Sequence, residues 1–213
     1  MPPRDRAYDL LVEVTRGTEI ESAHSGSVIV LKPLQAVAMV RLGLSLPSPL
    51  LALAAASHSG EEVHLDAVRA MLATVGLTES SLENAPGLPY EDDQLHTDLG
   101  AGGEPSRIVA NCSGKHAAML ATCVVNGWPT HGCCGLHHPL AAGILAECAE
   151  LAGGQLGFIG IDGCGAPAPQ LSLRALGLAV DDSHLQPELV LSGNRVVGEV
   201  RPSLWLTEQL RQI

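Results

Sequence analysis

Two lysines, six cysteines and nine histidines hold most of the chemistry open to this chain, and they are unevenly spread. The densest group is Asn111-Cys112-Ser113-Gly114-Lys115-His116, where a loop reaches a helix start. Cys112 and Lys115 stand three residues apart, which on a helical turn puts both side chains on one face. A thiolate there gains from the positive charge and from the helix N-terminal dipole, so it becomes a better nucleophile or metal ligand. Cys164, in Asp162-Gly163-Cys164, offers a second thiolate. Two thiolates, a neutral lysine amine and a water would fill a tetrahedral zinc shell, although lysine is an unusual zinc ligand and must shed its proton to bind. From spacing alone, buried structural cysteines are the stronger alternative.

A second group, Ser57-His58-Ser59-Gly60-Glu61, sets two serines beside a histidine and a carboxylate at the end of a helical run. A serine hydroxyl needs a base to act as a nucleophile. Neighbours in sequence rarely point at one another, so a polar connection between helices, capped by Ser57 or Ser59, is the plainer alternative. A third group, His131-Gly132-Cys133-Cys134-Gly135-Leu136-His137-His138, holds five potential zinc ligands but lacks the familiar Cys-x-x-Cys spacing. His138, just before Pro139, also suits a helix entry as a polar residue. Arginine supplies ten of the twelve basic residues, so the two lysines, Lys32 and Lys115, stand out. Only lysine, not the permanently charged guanidinium, serves as a neutral amine.

The elements that position these groups follow from periodicity. Residues 10–15 and 27–30 read as strands. From Pro33 the spacing turns helical through Val37, Val40 and Leu44, and Leu65, Val68, Leu72 and Val75 repeat it before Gly76. Ser80 and Glu83 form a capping box for a short helix, and residues 87–110, rich in glycine, proline and acid, read as a loop. A small-residue helix is expected over 113–126. Another opens at Pro139, with Leu140, Ile144, Cys148 and Leu151 inward and Gly153-Gly154 as the stop. Residues 156–161 read as a buried strand, followed by a turn that delivers Cys164 to the strand end. The fold class is α+β, in one domain spanning 1–213.

The length of 213 residues with 46% hydrophobic content suits one core, and a net charge of −11 argues against nucleic-acid binding. No run of about eighteen apolar residues or secretory leader pattern occurs, so a cytoplasmic, soluble protein off the membrane is expected. Clustered cysteines in a chain of this size point to reduced thiols or metal ligation rather than a disulfide framework.

Taken together, several blocks resemble the zinc-containing bacterial asparaginases (L-asparaginase II, thermolabile type), which have a serine-β-lactamase-like, glutaminase-like mixed fold. They are Glu21-Ser22-Ala23-His24-Ser25-Gly26, Lys32-Pro33-Leu34-Gln35, Ser57-His58-Ser59-Gly60-Glu61, Asn111-Cys112-Ser113-Gly114-Lys115-His116, His138-Pro139 and Asp162-Gly163-Cys164, in the family's order. The Asn111 and Asp162 blocks are the specific ones. The resemblance covers roughly residues 10–180. It implies zinc on Cys112, Lys115 and Cys164, with hydrolysis of the side-chain amide of L-asparagine to aspartate and ammonia. Two serine–lysine pairs near the metal would do the chemistry, and His58, Asn111 and Asp162 would line the substrate.

The sequence also departs from that pattern. In the family a serine lies three residues before the lysine that matches Lys32, but here Ile29 stands there. Sequence expected before Lys32 is missing, as is a later Lys-x-Gly-Ala-Glu-Gly block that would supply the partner lysine of Ser57. The expectation is therefore a shortened member with an incomplete sheet, in which the two survivors, Lys32 and Ser57, form a makeshift catalytic pair. A non-catalytic zinc-holding remnant is the main alternative. A different serine amidase or β-lactamase-like enzyme is a third, which the missing Ser-x-x-Lys weighs against. Open strand edges favour self-association, so a homodimer is expected.

Overall fold

A computed structural model describes residues 32–154 and 156–171, together with the backbone of 188–189 and 200–201. The strands expected at 10–15 and 27–30, and Ile29, lie outside the described residues. Six helices lead: α1 (Lys32–Arg41), α2 (Ser48–Ala55), α3 (Glu62–Ala73), α4 (Asp92–Gly100), α5 (Ser113–Val125) and α6 (Pro139–Leu151). Two antiparallel two-stranded sheets follow, β1 (Ile159–Ile161) with β2 (Pro167–Pro169), and β3 (Glu188–Leu189) with β4 (Val200–Arg201). The class is α+β and helix-rich. Among the described residues no helix is long and apolar enough to cross a membrane.

The organising element is α5. Every residue from Ser113 to Cys123 is buried, and α1, α2, α3 and α6 all pack on it. Such all-round burial needs an apolar helix with short side chains, which Ala117, Ala118 and Ala121 provide. Gly114 shows how tight the fit is: a Cβ there would lie 2.8 Å from the carbonyl oxygen of Leu53 on α2. Around it, Leu34, Met39, Val68, Met71, Leu72, Leu120, Leu140 and Leu151 have almost no exposure. With so few aromatic residues in the chain, aliphatic side chains fill the core, each contributing about 1.5–3 kcal/mol on burial.

Helices form where the spacing predicts them, but α1 ends at Arg41 and buries Leu34, Ala38 and Met39, leaving Val40 42% exposed and Leu44 beyond its end. The helix expected from Pro33 is α1, and the repeat through Leu65, Val68 and Leu72 lies in α3, whose chain then turns at Gly76 with φ +72°. The helix expected from Pro139 is α6, with Leu140, Ile144, Cys148 and Leu151 all buried. Its cap is His138, whose Nδ1 accepts from the Leu140 N–H at 3.1 Å.

Three expectations are corrected. The loop expected over 87–110 contains α4, which buries none of its residues and so carries no apolar periodicity to betray it. Asp92 and Asp93 in its first turn complement the helix dipole instead. Ser80 and Glu83 do not form a capping box. A single 3-10 turn occupies Glu79–Ser81, and the Glu83 carboxylate accepts from the Gly132 N–H at 2.8 Å across the fold. The strand expected to be buried is also open to solvent, with Phe158 at 76% and Ile161 at 56% exposure.

The β1–β2 hairpin is fixed to the helices through Gln35 of α1, whose amide donates to the Pro167 carbonyl, and through buried Ala166. In its turn, Asp162 Oδ1 accepts from the N–H groups of Cys164 (3.0 Å) and Ala166 (2.8 Å). That carboxylate sets the position of Cys164.

Candidate functional site

Lys32 opens α1 and Ser57 follows the end of α2, twenty-five residues apart in sequence, yet Lys32 Nζ lies 2.7 Å from Ser57 Oγ. The amine also reaches the carbonyl oxygens of Ala56 (3.1 Å) and Asn111 (3.3 Å). Carbonyls only accept, so a neutral amine would point its two N–H bonds at Ala56 and Asn111 and leave its lone pair for the Ser57 hydroxyl. Burial lowers the Lys32 pKa from its ordinary value, and the charge of Lys115 adds to this, against the opposing pull of Cys112, Cys164 and Asp162. Ser57 itself is exposed.

His58 does not serve its neighbour Ser57. Its backbone N–H donates to the Asn111 carbonyl at 3.2 Å, and its Nε2 meets Ser113 Oγ at 2.8 Å on α5. The Ser113 hydroxyl donates its one proton to the Ile108 carbonyl, so His58 Nε2 must carry hydrogen and donate. Nδ1 is then a bare acceptor, buried and without a partner among the described residues. Burial, with His64 stacked at 5.5 Å and Lys32 nearby, holds the His58 pKa down at about 4, so the ring is neutral at ordinary pH. Gly60, at φ +91° and with room for no side chain, since a Cβ there would lie 3.3 Å from Pro89 Cα, lets this segment turn sharply into α3.

The second group gathers at the start of α5 and the hairpin turn. Lys115 is 1% exposed and places Nζ 2.7 Å from Asp162 Oδ2 and 3.1 Å from Cys164 Sγ. Burial works to lower its pKa, but Cys164 and Asp162 outweigh that and hold it raised. Cys112 caps α5, and its pKa is lowered to about 7, first by a hydrogen bond with Cys164 and then by Lys115 and Lys32 against the cost of burial. That same hydrogen bond pushes Cys164 up to about 12. Cys112 is thus the thiol of the pair that ionises first.

The ligand atoms of Cys112, Cys164 and His116 all lie within 4.8 Å of one another. His116 is buried, its Nδ1 sits 3.4 Å from Cys134 Sγ, and its Nε2 has no hydrogen-bond partner among the described residues. A buried unpartnered nitrogen beside two thiols fits a thiophilic metal well. Sequence spacing did not single out His116 as a ligand, although it closes the most specific motif. One turn of helix brings it, like Lys115, to the hairpin thiol.

All eight residues marked by the sequence therefore meet in one region. Asn111 joins the two groups: its carbonyl takes the Lys32 and His58 bonds, and the next residue is Cys112. The Cys133-Cys134 block divides differently, with His131 exposed, His138 capping α6, and the two cysteines turned toward α5.

Fold and site together define a helix-rich α+β chain that sets a serine–lysine pair beside a cluster of thiols, lysine and carboxylate. The sequence profile of L-asparaginase II matches residues 30–190, and the chain belongs to that family. At that level it is an asparaginase-like amidohydrolase with a small-molecule substrate. No curated protein matches the chain.

Proposed function

We propose that this chain hydrolyses the side-chain amide of L-asparagine, with Ser57 as nucleophile and Lys32 as its base. The observation that carries this is the 2.7 Å contact between Lys32 Nζ and an exposed Ser57 hydroxyl, with burial favouring the neutral amine. Lys32 takes the hydroxyl proton as Ser57 Oγ bonds to the amide carbon. It returns that proton to the departing nitrogen, releasing ammonia and leaving an ester on Ser57. Water then attacks the ester with Lys32 again as base, and aspartate leaves. The bare Nδ1 of His58 would accept from a substrate N–H, with Asn111 and Asp162 lining the same region.

Cys112 and Cys164 would hold zinc, with Lys115 or His116 as third protein donor. Asp162 opposes Lys115 in that role, because a carboxylate at 2.7 Å favours the ammonium, which cannot ligate. Bound zinc would supply a fixed positive charge for orienting the substrate or stabilising a developing negative oxygen. The described helices would belong to a single serine-β-lactamase-like domain, with a homodimer as its assembly.

Ammonia release from L-asparagine by the zinc-loaded chain tests this. Ser57→Ala and Lys32→Met should each lower turnover by roughly 10²–10⁴-fold while leaving the far-ultraviolet circular dichroism unchanged. Turnover of Ser57→Ala equal to wild type would sink the assignment. A folded, zinc-bound chain without turnover would instead favour a non-catalytic zinc-holding role.

A further inference from the structure

Cys112 and Cys164 are free thiols carried by two different elements, one capping α5 and the other in the turn between β1 and β2. Their Sγ atoms lie within 4.8 Å of each other. A disulfide needs about 2.05 Å, so the two sulfurs must close by at most about 2.8 Å. The hairpin turn has room to supply that movement. Gly163 and Gly165 flank Cys164, and at neither would an added Cβ meet any atom within 4 Å. Cys112, with 4% exposure, is held by the packing of α5. Cys164 is half-buried, so a small oxidant reaches the pair from the turn side. Lys115 Nζ, 3.1 Å from Cys164 Sγ, places a cation beside the pair and favours the thiolate form that reacts.

We propose that Cys112 and Cys164 form a reversible disulfide when the metal-free chain meets a peroxide, and that this bond closes the metal site. One thiolate attacks the O–O bond and becomes a sulfenic acid, and the other peroxide oxygen leaves as water. The second thiol attacks that sulfur, the S–S bond forms and a second water leaves. Two thiols thereby give two electrons and two protons to one peroxide, and a small dithiol reverses the change. The disulfide and the metal exclude each other, because a cation needs the same two sulfurs as thiolates. Cys112 also follows Asn111, whose carbonyl takes the Lys32 and His58 hydrogen bonds, so a pull on Cys112 reaches the serine–lysine pair. Control of turnover by this bond rests on the function proposed above, whereas formation of the bond does not.

Hydrogen peroxide treatment of the full, zinc-free chain, followed by iodoacetamide and non-reducing peptide mass spectrometry, tests the pair. The Cys112 and Cys164 peptides should be found linked, and dithiothreitol should free both. Zinc at about ten times its Kd should slow the linking by about 10-fold, and the oxidised chain should take no zinc from a chromophoric chelator until it is reduced. In Cys164→Ser the link should vanish, with Cys112 trapped by dimedone as a sulfenic acid. Free alkylated thiols after peroxide, or a link through Cys134 instead, would overturn the proposal, as would linking at the same rate with and without zinc. If the link forms but the reduced, zinc-loaded chain turns nothing over, only the serine–lysine reading fails. An active chain that never forms the link defeats this inference alone.

Discussion

The two ends of α5 carry the same residue type in different electrostatic surroundings. At its N-terminus Cys112 is paired with Cys164, and further along Cys123 is paired with Cys133. In each pair one thiol is lowered and its partner is raised to about 12. What differs is the charge around them. Lys115 and Lys32 add their pull on Cys112, whereas Cys134 and Glu83 push against ionisation of Cys123. A buried thiol is therefore not one chemical species. The cationic end brings its thiol down to about 7, while at the other end Cys123 is lowered only against the opposing charge of Cys134 and Glu83.

The largest expected effect that sharpens this contrast is on metal affinity. Cys112→Ala should weaken zinc binding at the Cys112–Cys164 site by more than ~100-fold, since even residues that only orient a ligand are worth roughly 10–100-fold, and turnover should fall with it. Cys123→Ala should leave that affinity within a few-fold. Competition against a chromophoric chelator measures both.

Next comes acid. His58, whose Nε2 bonds Ser113 at the cationic end, is neutral in the fold with a pKa near 4 against an ordinary 6.5. Between those values the unfolded chain binds a proton that the folded chain does not, so stability falls as pH drops from about 6.5 to about 4. The loss should approach ~3 kcal/mol and then level off below pH 4, with no such loss in His58→Asn if the amide keeps the Ser113 bond. Urea midpoints across that range would show it.

Packing also differs between the ends. Gly114→Ala would press a methyl group against the Leu53 carbonyl and should cost about 1–3 kcal/mol. Val125→Thr, at the exposed far end, should stay within about 0.5 kcal/mol. Thermal unfolding separates the two, and an equally costly Val125 change would break the comparison. The smallest effect is electrostatic: Lys115→Gln should raise the first thiolate titration, now near 7, by roughly one unit while leaving the titration of the Cys123–Cys133 pair in place. Thiolate absorbance against pH reads both.

Much of the site was legible in the sequence because its parts are local. Asn111 to His116 carry their own helix start, and Pro139 with His138 announces α6 through a fixed φ and a side-chain acceptor. The missed helix α4 has no buried face, so the signal that finds helices was absent although the acidic first turn was present. The Ser80–Glu83 pattern misled for the converse reason: a local motif predicted a local bond, and Glu83 found a distant partner in the 131–138 loop.

What the sequence determined by itself was the stock of chemistry: two lysines amid arginines, a specific thiol–lysine motif, and helices spaced to bury aliphatic faces. Only the tertiary structure decided which groups meet. It set Lys32 against Ser57 across the α1–α2 packing, turned His58 away to Ser113, and gave His116 one nitrogen beside each thiol group. Side-chain types and short spacings are written residue by residue, but a contact across 25 or 49 positions depends on how buried faces settle against one another, and no local stretch encodes that distance.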